Sequence, residues 1–167
     1  MTSGLSGKFA RRAVMLLAVE LVSVAGNGGS LADARTPRVL FVCQYGTAKS
    51  AIAREVFRKR ARDRGIAVTA TSRGITPAEH VSSALRTRLK ADGIDSARDG
   101  VQRLTADGLK AADIIVTFNP LPEEMGRVRA VDWSALPSMN ENYFAARADL
   151  IRRVDALLNV IARRRGR

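Results

Sequence analysis

An α/β fold, built as a single three-layer domain with a four-stranded parallel sheet flanked by helices, is what three features of this sequence predict. Short apolar, β-branched runs alternate with longer stretches whose apolar residues recur every three or four positions. That alternation requires crossover helices, and hence parallel strands covered on both faces. At 167 residues, with 46% hydrophobic and 26% charged side chains, the chain has the size and composition of one globular domain. Disordered, collagen-like and low-complexity classes are excluded on the same ground.

The elements follow in order. Val39-Leu40-Phe41-Val42 is a continuous apolar run, as in a strand buried on both faces, and it ends in Cys43. A helix is expected from Ala48 to Arg64. Ile52, Ala53, Val56 and Phe57 form its apolar stripe, Arg54, Arg58, Lys59 and Arg62 take the opposite side, and Gly65 ends it. Ile66 to Ser72 reads as the second strand. Pro77 opens a helical stretch in which Val81, Leu85 and Leu89 recur every four residues before the stop at Gly93. Thr105 and Asp107 mark the start of a short helix through Ala112, Thr105 as N-cap and Asp107 as a first-turn acid. Residues 113–117 form the third strand and Arg129 to Trp133 the fourth. A last helix follows, with Phe144, Ala148, Ile151, Val154, Leu158 and Ile161 on its apolar side. Ligands of such sheets bind beyond the carboxyl ends of the strands, and Cys43 stands there.

Composition narrows the chemistry. One cysteine and one histidine exclude an internal disulfide framework and a Cys/His zinc site, so neither metal nor cofactor is expected. A net charge of +12, from 28 Lys and Arg against 16 Asp and Glu, attracts anions in general. The arginines are spread through every helix, with a run only in the tail Arg163-Arg164-Arg165-Gly166-Arg167, and the few aromatics form no stacking platform. Nucleic acid is therefore not expected as the primary ligand.

Residues 1–34 read differently from residues 35–167. Lys8, Arg11 and Arg12 precede an apolar run from Ala13 to Ala25, and Ala32-Asp33-Ala34 resembles a signal cleavage site. Export to the periplasm with cleavage after Ala34 is the expectation. A start assigned too early, giving a disordered extension on a cytoplasmic protein, is the alternative. The run is interrupted by Glu20 and is too short for a transmembrane segment, which needs about 18 apolar residues.

The chemistry sits in Cys43-Gln44-Tyr45-Gly46-Thr47-Ala48-Lys49-Ser50. A cysteine at the end of a buried strand, a short loop and a helix N-terminus suit an oxyanion wrapped in backbone N–H groups. The same dipoles and the Lys49 cation stabilise negative sulfur, the nucleophilic form of a cysteine. Ser50 is placed to donate a hydrogen bond to that sulfur.

This segment resembles the phosphate loop of low-molecular-weight protein tyrosine phosphatases and of the arsenate reductases that share their fold. So do Ser72-Arg73-Gly74, Gly93-Ile94-Asp95 and Leu104-Thr105-Ala106-Asp107 leading into 112–116, the resemblance running from about Pro37 to Ile161. It implies Cys43 as the nucleophile forming a phosphocysteine, residues 44–49 as the phosphate-binding loop and Ser50 as support for the thiolate. The implied ligands are a phosphorylated protein, a small aryl phosphate, or an oxyanion such as phosphate.

Three departures from the family accompany it. Lys49 replaces the loop arginine, a point charge in place of a bidentate fork; one charge-assisted bond is worth roughly 1.5–3 kcal/mol, or about tenfold to a hundredfold in rate. Gly46 replaces a bracing asparagine. The family's general acid, an Asp-Pro pair after the fourth strand, gives way to Leu136-Pro137-Ser138-Met139. Asp132 and Glu141 are the substitutes nearby. His80 is a possible base or a solvated surface residue, and Trp133 a cleft wall or an interior aromatic. Phosphomonoester hydrolysis is the expected function. The alternatives are an arsenate reductase, which with one cysteine needs an external thiol, and a non-catalytic phosphate- or phosphoprotein-binding module.

Overall fold

The structure, a computed structural model, describes residues 35–165; the signal-like stretch 1–34 and the last two residues of the basic tail lie outside the described residues. β1 (Arg38–Cys43), β2 (Thr69–Gly74), β3 (Ile114–Thr117) and β4 (Val131–Asp132) form one parallel sheet in the order β2-β1-β3-β4. α1 (Lys49–Asp63), α2 (Ser83–Ala91), α3 (Ala106–Ala111) and α4 (Tyr143–Arg165) are the α-helices among the described residues. The four-stranded parallel sheet with flanking helices is the architecture the sequence predicts.

Alternation along β1 divides the core. Val39, Phe41 and Cys43 join the larger apolar cluster with Ile52, Phe57, Leu150 and Leu158 from α1 and α4, while Leu40 and Val42 join Leu104, Leu109 and Ile115 in a second cluster. Both faces of β1 are thus covered, as its uninterrupted apolar run requires. Cys43 is carried to the carboxyl end of the central strand, on the side of α1. Burial of each large side chain contributes about 1.5–3 kcal/mol, far above the roughly 0–1 kcal/mol of a surface ion pair, so packing decides this architecture.

Five expectations shift, that for β4 among them. β2 starts at Thr69 rather than Ile66, because the Ile66 N–H donates to the Ala61 carbonyl and closes α1; pairing with β1 begins where Thr69 meets Arg38. α2 starts at Ser83, not Pro77. The Ser82 hydroxyl accepts the Leu85 N–H (3.2 Å), while the Ile75, Thr76 and Ala78 N–H groups donate to the carbonyls of Cys43, Gln44 and Tyr45. Arg54 is not on a solvated face; it is 1% exposed, held by Glu55 (2.9 Å), Ser72 Oγ (2.8 Å) and the Ser96 carbonyl (3.0 Å), with Asp99 3.5 Å away. On α4 the buried stripe runs through Tyr143, Ala146, Leu150, Val154, Leu157, Leu158 and Ile161. Phe144 is 71% exposed beneath the Arg88 guanidinium.

β4 keeps only two residues of the expected five. The Trp133 N–H still donates to the Thr117 carbonyl, and its ring lies against Phe41 and Phe118, 5% exposed. Trp133 is an interior aromatic. No helix among the described residues is long and apolar enough to cross a membrane.

Candidate active site

β1 delivers Cys43 to the foot of a turn closed by the first residues of α1. Its buried Sγ lies 3.0 Å from Ser50 Oγ and 3.2 Å from the Gly46 N–H, so two polar groups converge on the sulfur. The N–H groups of Tyr45, Thr47 and Ala48 bond to no backbone acceptor among the described residues. Together with the N-terminus of the 15-residue α1 they make a cradle of positive dipoles.

Gly46 is fixed there by space as well as by conformation. Its φ is +78°, and a Cβ on it would lie 2.8 Å from the Gly74 backbone nitrogen. A Cβ on Gly74 would in turn lie 2.8 Å from the Tyr45 carbonyl. The loop 44–48 and the Ser72-Arg73-Gly74 strand end touch through two glycines, which explains both residues. Bracing comes from elsewhere: the Gln44 N–H donates to Asn119 Oδ1 (2.9 Å). The buried Thr47 hydroxyl donates to the Ala78 carbonyl (2.9 Å) and accepts the His80 N–H (3.1 Å), clamping residues 75–80 over the loop.

Lys49 donates from Nζ to the Leu136 carbonyl (2.6 Å), tying the loop after β4 to the start of α1. Burial pushes its ammonium below the ordinary lysine value, while Cys43 and Glu141 pull it upward. A cavity of about 140 Å³ brings together Cys43, Gln44, Tyr45, Ala48, Lys49, His80, Asn119, Ser138, Met139 and Asn140. Ser50 lies beneath it in contact with the sulfur. His80 stands beside Tyr45, ring centroids 4.4 Å apart.

Asp132 is not among the residues lining that cavity. It ends β4 with its carboxylate accepting the Ser134 N–H (2.7 Å), a bond that holds it below the ordinary carboxylate value and keeps it ionised. Glu141 is exposed and acts on Lys49 through its charge alone. No group of His, Cys, Asp and Glu able to hold a metal occurs among the described residues. Two residues outside the sequence reading belong to the site, Asn119 and Asn140. Asn119 lies two residues past the end of β3, so the strand-end rule that singled out Cys43 points to it too. Asn140 joins two segments distant in sequence, for which no local signal exists.

Residues 38–131 match the model of the low molecular weight phosphotyrosine protein phosphatase family, and the chain belongs to it. Among solved structures it is similar to YfkJ from Bacillus subtilis, with 19% identity, a TM-score of 0.62, and coverage of 77% of this chain and 96% of that one. A low molecular weight protein tyrosine phosphatase from T. tengcongensis shows 23% identity and a TM-score of 0.58 over 74% of this chain and 99% of that one. A thioredoxin-dependent arsenate reductase from Corynebacterium glutamicum shows 21% identity and a TM-score of 0.59 over 78% of this chain and 64% of that one. These likenesses carry the fold. No curated protein sequence matches. The family match stops at Val131, before the 136–140 loop.

Proposed function

We propose that the chain is a cysteine-dependent phosphomonoesterase acting on phosphotyrosine or a small aryl phosphate through a phosphocysteine. One observation carries the reading: the Cys43 sulfur sits at the foot of an N–H cradle, 3.0 Å from Ser50 Oγ and 3.2 Å from the Gly46 N–H, with Lys49 lining the same cavity. In this reading Cys43 attacks phosphorus, an S–P bond forms and the ester P–O bond breaks. Water then cleaves the S–P bond and releases phosphate. The loop 44–49 and the Lys49 ammonium hold the phosphoryl oxygens, and Ser50 donates to sulfur when it leaves. The expected site of action is outside the cytoplasm if residues 1–34 are removed as a signal, which mass spectrometry of the N-terminus from cell fractions decides.

The test is turnover of 4-nitrophenyl phosphate with Cys43→Ser as control, beside alkylation of Cys43 by iodoacetamide below neutral pH. Turnover lost in Cys43→Ser, and alkylation slowed by phosphate or vanadate, are the expected results. Alkylation indifferent to oxyanions would overturn the site; oxyanion protection without turnover would leave a phosphate-binding module. The small cavity, about 140 Å³, also fits arsenate. As reductase the chain would draw its electrons from an external thiol, since Cys43 is its one cysteine.

A further inference from the structure

A phosphate ester with a poor leaving group needs a proton donor at its leaving oxygen, and no carboxylate lines the Cys43 cavity. Among the side chains that do, the thiol is the nucleophile and the Lys49 ammonium is bound to the Leu136 carbonyl. Phenols and alcohols as a class keep their protons in neutral water. Imidazole is the group whose charge ordinarily changes between about pH 5 and 8.

Resting on the phosphatase reading above, we propose that His80 is the general acid of this site. Its placement is built from three sides. The backbone N–H donates to Thr47 Oγ1 on the phosphate loop (3.1 Å), the carbonyl accepts Asn140 Nδ2 from the loop after β4 (2.8 Å), and the ring rests on Tyr45. Asn140 also accepts the Ser82 N–H (3.0 Å), so His80 is held at the rim where Ser138 stands. Its side chain is exposed, which gives water access to reload it. The ionisable groups around it are Cys43, Tyr45 and Lys49, which line the same cavity, Glu79 beside it, which faces Arg86 (3.4 Å), and Glu141, whose charge acts on Lys49.

In the first step the Cys43 thiolate forms the S–P bond, the P–O bond breaks, and the imidazolium N–H proton passes to the departing oxygen, giving the free phenol or alcohol. In the second, water attacks phosphorus and releases its proton to solvent, the S–P bond breaks to leave thiolate and phosphate, and exposed His80 takes up a proton from solvent to become imidazolium again.

The experiment compares phenyl phosphate with 4-nitrophenyl phosphate, whose leaving group needs little protonation. His80→Gln is expected to lower kcat on phenyl phosphate about 100-fold while nearly sparing the nitrophenyl ester. Ser138→Asp placed in the His80→Gln chain should restore the phenyl ester selectively, because a carboxyl then stands at the same rim. Equal losses on both esters would overturn the role of His80 while leaving the phosphatase reading intact. No turnover of either ester by the unaltered chain would overturn that reading and the role of His80 with it.

Discussion

Ser50 separates the two halves of the proposed reaction. It is wholly buried, and its Oγ touches the sulfur at 3.0 Å, a distance at which a donated hydrogen bond stabilises a departing thiolate. In the first step sulfur spends charge on phosphorus; only in the second must it regain it. A hydrogen bond to a charged group is worth roughly 1.5–3 kcal/mol, about tenfold to a hundredfold in rate. Ser50→Ala is therefore expected to slow phosphoenzyme breakdown by that factor and its formation by less. Stopped-flow release of 4-nitrophenol should show a burst followed by slow turnover; equal slowing of both phases would make Ser50 a holder of the loop only. The residues from Cys43 to Ser50 were legible because they are contiguous and each answers a local question: strand end, tight turn, helix start. Arg54 was not legible. Its periodicity assigns it to the outer side of α1, and only the distant Ser72, Ser96 and Asp99 make its burial tolerable.

Between elements, the tightest junction is the glycine contact of the loop after β1 with the end of β2. Gly74 borders the site without lining its cavity, yet a methyl there would press on the Tyr45 carbonyl and the Gly46 nitrogen, both backbone and unable to rotate away. Gly74→Ala should cost about 1–3 kcal/mol of stability through overpacking. It should also displace the loop, lowering kcat on every ester alike. Urea unfolding and turnover of the two esters check both halves, and unchanged kcat would mean that the loop absorbs the methyl. Helices with local start signals were legible: α3 begins at the Thr105 cap, whose hydroxyl accepts the Gly108 N–H (3.1 Å). The start of α2 was not, since the N–H groups of Ile75, Thr76 and Ala78 are claimed by carbonyls on β1 and the loop, some thirty positions away. On α4 the expected stripe holds at Ile151, Val154, Leu158 and Ile161 and fails in its first turns, where Phe144 meets an arginine from α2 at the surface.

For the molecule as a whole, packing supplies most of the stability and charge modulates it with pH. Arg60 on α1 grips Asp155 on α4 with two bonds of 2.6 Å, and this holds the Asp155 carboxyl below its ordinary value. Asp99, gripped by Arg58, and Asp113, which accepts the Arg38 N–H, are lowered likewise. Each binds its proton more weakly folded than unfolded. Their contribution is complete above the ordinary aspartate value of about 3.9 and fades as pH falls from there through the lowered folded values. Thermal midpoints should accordingly fall on acidification below about pH 4, and Asp155→Asn should flatten part of that slope. It should also lower stability at neutral pH by up to about 1 kcal/mol. A slope unaltered by the variant would assign acid sensitivity to the other two carboxylates. The sulfur at the foot of the cradle has a further consequence, for oxidants. A peroxide small enough to enter would convert the thiolate to a sulfenic acid, and the chain has no second cysteine to capture it as a disulfide. The group would wait for a thiol from solution or pass on to the sulfinic acid, from which this fold offers no return.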